Sequence, residues 1–344
     1  MTAKFGASHI VMSGGGVKGI AYVGALNIIR QKCISLLNTA GVSVGALIAA
    51  IAAAGYLPEE MKLLMTNFEF EKVQNKDILR KMPILSDFRK YAYRSNIIGR
   101  AQLRHLLSTV IFNGEVPCNR DEKFLSKLAD ISTNNALYSG DYIEDWVESC
   151  LFKKGIKTFF DLRGGITSSD NPHGYKARMT AVDVYRAKVI VLPYDISYYG
   201  INPDKLEVAR AIRMSISAPF IFKPVEIPYK KDGENKKTYI IDGGVIDNFP
   251  TWLFNQNSGY DVTGLSLSGK RKYFSFDSPI NILKSIASII YDFGMPSDNS
   301  KLNKFIDIDT SQVATFDFNL DEKQKEYLYN AGVSAAETAF SQTE

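Results

Sequence analysis

The chain is poor in histidine and cysteine, with three of each among 344 residues. Cys33, Cys118 and Cys150 are odd in number, far apart and in no C-x-x-C pair. That excludes a disulfide framework and a zinc knuckle and fits a reducing compartment. Charge of one sign is scarce too. Against 41 basic residues stand 37 acidic ones, a net +4 too even for a nucleic-acid binder that relies on phosphate neutralisation, so no nucleic-acid partner is expected. The most apolar run, over 46–57, is broken by Gly55 and falls short of the roughly 20 residues a membrane helix needs. The N-terminus carries no charged-then-apolar signal pattern, and Thr2 stands where myristoylation needs glycine. A cytoplasmic protein with at most peripheral membrane contact is the expectation. With 45% hydrophobic and 23% charged residues, the composition excludes disordered, collagen-like and coiled-coil chains.

What is present is the alternation of an α/β protein. Hydrophobic patterning predicts a strand over 8–13, a glycine turn, a helix over 17–31, a strand over 33–40, a sharp turn and an alanine-rich helix over 44–54. That βαβα order belongs to a parallel sheet. Pro58 opens a further helix. Strand signals then stop until about residue 175, apart from a helix expected over 142–152, and the interval reads as an insertion or lid. Further strands are expected over 175–184, 187–192, 238–241, 262–267 and 305–308, and helices over 204–217, 279–291 and 321–340. With no repeat and no low-complexity linker, residues 1–344 read as one domain. Its motif-bearing core is 8–268, its variable cap insertion 71–170, and its C-terminal region, over 270–344, is helical.

Three motifs could carry chemistry. Gly14-Gly15-Gly16-Val17-Lys18-Gly19 lies between a strand and a helix start, where glycines permit close backbone approach and free N–H groups favour an anion. The same spacing matches a dinucleotide loop, but no acidic residue follows where a ribose would need one. Gly41-Val42-Ser43-Val44-Gly45 has the pattern of a nucleophile elbow, with Ser43 on a strained strand-to-helix turn; the plainer role for Ser43 is a helix N-cap. Asp242-Gly243-Gly244 is either a hairpin turn or a carboxylate at the end of a strand, where open α/β folds place their sites. Together they supply a nucleophile, a base and oxyanion donors for acyl transfer. A Ser-His-Asp triad would have to recruit a histidine. His9 lies in the first strand and reads as structural, His105 lies in the insertion, and His173, in a loop, is the remaining candidate.

GGGVKG, GVSVG and DGG in that order, with the stretch ARAIRMSISAPF over 209–220, resemble the patatin-like phospholipase family of lipid acyl hydrolases across about 8–268. The resemblance implies a three-layer α/β/α fold around a mostly parallel sheet. It also implies a phospholipase A type reaction on phospholipids or other acyl lipids, through a Ser-Asp dyad. Ser43 would be the nucleophile and Asp242 the base, with no histidine, metal or cofactor. Gly14, Gly15, Gly16, Lys18 and Gly19 would form the oxyanion loop, Gly41 and Gly45 would flank the elbow, and Gly243 and Gly244 would complete the aspartate motif. An ordinary aspartate is too weak a base for a serine hydroxyl, so burial must raise its pKa. The rival readings are a catalytically silent lipid-binding or scaffold protein of the same fold, and a dinucleotide-binding oxidoreductase. Residues 71–100 carry eight basic and three acidic side chains interleaved with Phe88, Tyr91 and Tyr93, which suits an anionic membrane surface or, more plainly, a solvated face. A lipid hydrolase loose in its own cell also calls for restraint, so an activating partner or small effector is expected.

Overall fold

The computed structural model describes residues 6–73, 125–126, 129–130, 132–133, 136–231, 233–254, 259–268, 284, 287–288, 291 and 298–341. Expectations for His105, Cys118, the basic stretch beyond residue 73 and most of the helix over 279–291 lie outside them.

Strand β1 (Ala7–Met12) runs into a tight turn over Gly16–Gly19 and then helix α1 (Ile20–Gln31). Strand β2 (Ser35–Val42) leads through one residue, Ser43, into helix α2 (Val44–Ala53). Nearly every residue of α2 is buried, which is why its sequence is alanine, isoleucine and leucine on all sides. Helix α3 (Pro58–Thr66) begins with proline in its first turn, where the missing N–H is not needed, and a short helix α4 (Phe70–Val73) follows. Helix α5 (Asp141–Phe152) precedes strands β3 (Ala177–Asp183) and β4 (Lys188–Leu192). Helix α6 (Val208–Ser215), strands β5 (Val225–Lys231), β6 (Glu234–Asp242), β7 (Asp261–Ser268) and β8 (Lys304–Asp309), and helix α7 (Glu322–Ser341) complete the order. Helices α1 and α7 cross closely. A Cβ on Gly24 would strike the Tyr329 carbonyl, and one on Gly332 the carbonyl of Ala21. No helix among the described residues is long and apolar enough to cross a membrane.

Strands β3, β2, β1, β7 and β8 are parallel neighbours in that order. The chain leaves β1 for β2 on one side and later returns to β7 on the other, so the end of β1 is a topological switch point, where open α/β sheets bind ligands. The expected mostly parallel sheet is therefore present, with β4 and β6 antiparallel to β3 and β5 antiparallel to β6.

Asp242 stands at the end of a strand, as expected, and that strand is β6, antiparallel to β3. Strand β4 occupies one edge of β3 while β2 and β6 share the other: Val42 of β2 pairs with Thr180, and Asp242 of β6 with the next residue, Ala181. The two strands approach from opposite directions and meet end to end, so that Ser43 and Asp242 face each other across the junction. Strand β5, not anticipated, forms a hairpin with β6 through Gly233. Val225, Ile227 and Tyr229 alternate with Glu226, Pro228 and Lys230, and burial follows that period of two; the proline within the run is what argues against a strand in the sequence, and it is tolerated in this hairpin.

Candidate active site

Ser43 has φ 56° and ψ −127°, a strained conformation for a non-glycine residue that persists only where the surroundings enforce it. Here they do. A Cβ on Gly45 would strike the Met12 and Ser13 carbonyls, and one on Gly41 the Gly45 backbone. The two glycines thus let the turn close on the end of β1. The Ser43 N–H donates to Ser215 Oγ at 2.9 Å, and Ser215 donates in turn to the Thr180 carbonyl at 2.7 Å. The Ser43 side chain makes no cap bond to α2, so the plainer N-cap role is not what the hydroxyl does.

Asp242 is fully buried. Its N–H donates to the Ser217 carbonyl at 3.1 Å, and its Oδ1 accepts the Gly244 N–H at 2.8 Å. Its Oδ2, also buried, is left without a well-formed hydrogen bond. Burial pushes the carboxyl up to about 6, against the pull of the Ser43 hydroxyl, the Gly244 N–H and the Tyr291 hydroxyl, all of which favour the charged form. Gly243 is wedged between the Thr180 carbonyl and Val42, where a Cβ would stand 2.8 Å from each. Gly244 similarly lies against Asn248 and Tyr291, each 2.6 Å from where a Cβ would be.

The glycine loop is brought beside Ser43, and its N–H groups divide into two sets. Gly14 donates to the Asn248 carbonyl at 3.0 Å, Val17 to the Thr315 carbonyl at 3.0 Å and Lys18 to the Gly15 carbonyl at 3.3 Å. The N–H groups of Gly15 and Gly16 have no partner among the described residues. Gly16 sits at φ 60° with the Thr315 carbonyl where a Cβ would stand, so no other residue fits there. A Cβ on Gly19 would strike Val44, so this glycine serves the packing of the turn on α2. The Lys18 side chain is buried and lines a polar cavity with Gly14, Gly15, Gly16, Ser43 and Asn248.

On the other side of Ser43 opens an apolar cleft of about 600 Å³ counted to its mouth. Leu47 of α2, Met65 of α3, Phe68, Ile143 and Trp146 of α5, and Phe222 wall it. Ser43 thus stands where an apolar and a polar space meet.

Neither described histidine lies beside Ser43 and Asp242. His173 precedes β3 while Ser43 follows β2, and since these strands are parallel the two lie at opposite edges of the sheet. Its neighbours are Arg163, Tyr175 and Tyr194. His9 is buried, stacked on Phe254 at 4.7 Å, and accepts the Asn38 N–H on Nδ1 at 3.3 Å. Burial, with the charge of Arg178, lowers it to about 4. The sequence reading missed Ser215, Asn248 and Tyr291 at the site. Ser215 lies in the 209–220 stretch and Asn248 just past the aspartate motif; nothing near Tyr291 marks it.

A family model described as patatin-like phospholipase matches residues 10–255, which include all three motifs. The uncharacterized protein YqhO of Bacillus subtilis (strain 168) is 32% identical over 262 residues, 76% of this chain and 72% of YqhO. The probable lipid hydrolase 463L of Invertebrate iridescent virus 6 is 21% identical over 241 residues, 70% of this chain and 61% of that protein. Among solved structures, VipD from Legionella pneumophila is similar with a TM-score of 0.47 and 18% identity, over 97% of this chain and 67% of VipD. The glycine loop is therefore that of a hydrolase family and not a dinucleotide fingerprint: the chain belongs to the patatin-like phospholipase family.

Proposed function

We propose that the chain is a serine lipid acyl hydrolase of the phospholipase A type, with Ser43 as nucleophile and Asp242 as its base. One observation carries this reading: a strained serine beside a buried carboxylate with an unsatisfied oxygen, at the junction of an apolar cleft and a donor loop. Ser43 Oγ attacks the ester carbonyl as Asp242 accepts its proton. The tetrahedral oxyanion takes hydrogen bonds from the Gly15 and Gly16 N–H groups, with the Lys18 charge nearby. Collapse expels the alcohol, which leaves with the proton held by Asp242. Water then attacks the acyl-enzyme, Asp242 again accepting the proton, and Ser43 recovers it as the fatty acid departs. The apolar cleft supports an acyl chain as the bound group, since each buried methylene contributes about 0.8 kcal/mol. The name of 463L supports lipid hydrolysis in the same general sense. Membrane contact through the basic residues of 71–100 belongs to the same proposal.

A carboxylate raised to about 6 is half ionised there, near the range in which a general base works best. A fluorophosphonate probe is therefore expected to label the wild type at Ser43, faster as pH rises through about 6, and to leave Ser43→Ala unlabelled. A wild type that resists the probe, or an equally labelled Ser43→Ala, overturns the reading.

A further inference from the structure

The stretch over 209–220 resembles the family's, yet the serine–aspartate reading gives it no task. Of its four polar residues, Arg213, Ser215 and Ser217 are buried. Ser215 Oγ, in the last turn of α6, accepts the N–H of Ser43 at 2.9 Å and donates to the Thr180 carbonyl at 2.7 Å. Two residues on, the Ser217 carbonyl accepts the N–H of Asp242 at 3.1 Å. Ser217 is itself held: its Oγ donates to the Arg213 carbonyl and accepts from Arg213 Nη1, both at 2.7 Å. Arg213 Nη2 then reaches the carbonyls of Lys223, at 2.8 Å, and Ser139, just before α5.

We infer that residues 213–217 are a positioning frame for the dyad, Ser215 fixing the nucleophile and the Arg213–Ser217 pair fixing the base. The inference rests on the serine–aspartate reading above. Three physical points support it. A residue in a strained conformation needs extra constraint, and for Ser43 the bond to Ser215 supplies it from a different part of the chain. Strands β2 and β6 meet end to end at Thr180 and Ala181 without pairing with each other, and Ser215 bonds to Thr180 where they meet. The bond to Ser215 also occupies the Ser43 N–H, so the oxyanion must look to the Gly15 and Gly16 N–H groups.

The test compares wild type, Ser215→Ala, Ser215→Thr and Ser217→Ala by fluorophosphonate labelling rate, by kcat and KM on a short-chain ester, and by thermal unfolding. Ser215→Ala is expected to lower both kcat and the labelling rate by about 30-fold, because a displacement of about 1 Å at a nucleophile has effects of that order. Its KM should stay within about twofold, since the apolar cleft is untouched. Ser215→Thr, which keeps the hydroxyl, should recover most of the lost rate. Ser217→Ala leaves the bond to Ser43 in place and should lower kcat about tenfold through Asp242 alone. A folded Ser215→Ala that labels and turns over within about twofold of wild type overturns the nucleophile half, and the same result for Ser217→Ala overturns the base half. If Ser215→Ala does not fold, a Ser215→Thr whose loss appears wholly in KM overturns it equally. Failure of the underlying reading looks different: the wild type itself would not label at Ser43.

Discussion

Two fully buried carboxylates lie two rungs apart where β3 and β6 pair, and they are treated in opposite ways. Asp183 is saturated. Its Oδ1 accepts the Thr238 hydroxyl at 2.6 Å and the N–H groups of Tyr185 at 3.1 Å and Arg186 at 3.3 Å, while its Oδ2 accepts the Tyr199 hydroxyl at 2.5 Å. Asp242 has one well-formed bond to its side chain, from the Gly244 N–H, while its Oδ2 lacks one and the Ser43 and Tyr291 hydroxyls stand nearby. Burial is common to both. What differs is the partners: Asp183 is wrapped in four well-formed bonds and serves as a structural tie, whereas the second oxygen of Asp242 is turned toward hydroxyls that hold it less firmly. The tie at Asp183 joins the end of β3 to β6 and to the turn carrying Tyr199; the looser hold on Asp242 falls where Ser43 stands.

The strongest way to break this contrast is Asp242→Asn. The amide keeps an acceptor for Gly244 but cannot take a proton, so turnover is expected to fall on the order of 10³- to 10⁴-fold while the fold is retained. Unchanged turnover in steady-state assays would leave Asp242 as another tie. Next comes Asp183→Asn, whose amide keeps one acceptor oxygen but sets an NH2 group against the Tyr199 hydroxyl and removes the charge facing Arg186. Urea unfolding should register a loss of about 3 kcal/mol, with turnover per folded molecule within about threefold of wild type. A folded but inactive Asp183→Asn would erase the distinction. The smallest effect is the most specific to Asp242. Its folded pKa is raised from 3.8 to about 6, so the folded protein holds the proton more tightly than the unfolded chain does. The Asp242 contribution to stability is therefore fully present below about 4 and is lost as pH rises through about 6. Asp242→Asn lacks this loss and should be the more stable protein at pH 8, on the order of 2 kcal/mol relative to the comparison at pH 4. His9, lowered to about 4, contributes the opposite slope between 4 and 6.5, so the quantity to read is the difference between variant and wild type at each pH. A difference that does not grow with pH would show that burial does not raise the Asp242 carboxyl.

Much of this site is legible in the chain because its parts are local. The elbow needs Gly41 and Gly45 on either side of Ser43, and the donor loop needs glycine at 16; each is a requirement met within a few residues. The local reading went astray where partners come from afar. That Asp242 ends a strand is legible, but the direction of that strand is not, because direction is set by neighbours and not by the residues of the strand. The hairpin partner β5 was missed because its proline and its charges suit an exposed edge. Tyr291 carries no mark, and the role of Ser215 appears only when α6 is laid beside the β2–β6 junction.

By itself, then, the sequence determined the local geometry: which turns could close tightly, which helix had to be interior, and where a hydroxyl and a carboxylate stand at strand ends. Tertiary structure decided how those pieces meet. It turned β6 against β3 so that two strand ends abut, occupied the N–H groups of Gly14 and Ser43 while leaving those of Gly15 and Gly16 without partners among the described residues, and buried Asp242 beside the Ser43 and Tyr291 hydroxyls while wrapping Asp183 in well-formed bonds. The physical reason is range. Backbone conformation follows from sterics within a few residues, whereas desolvation and hydrogen-bond satisfaction depend on every atom that packing brings near, whatever its place in the chain.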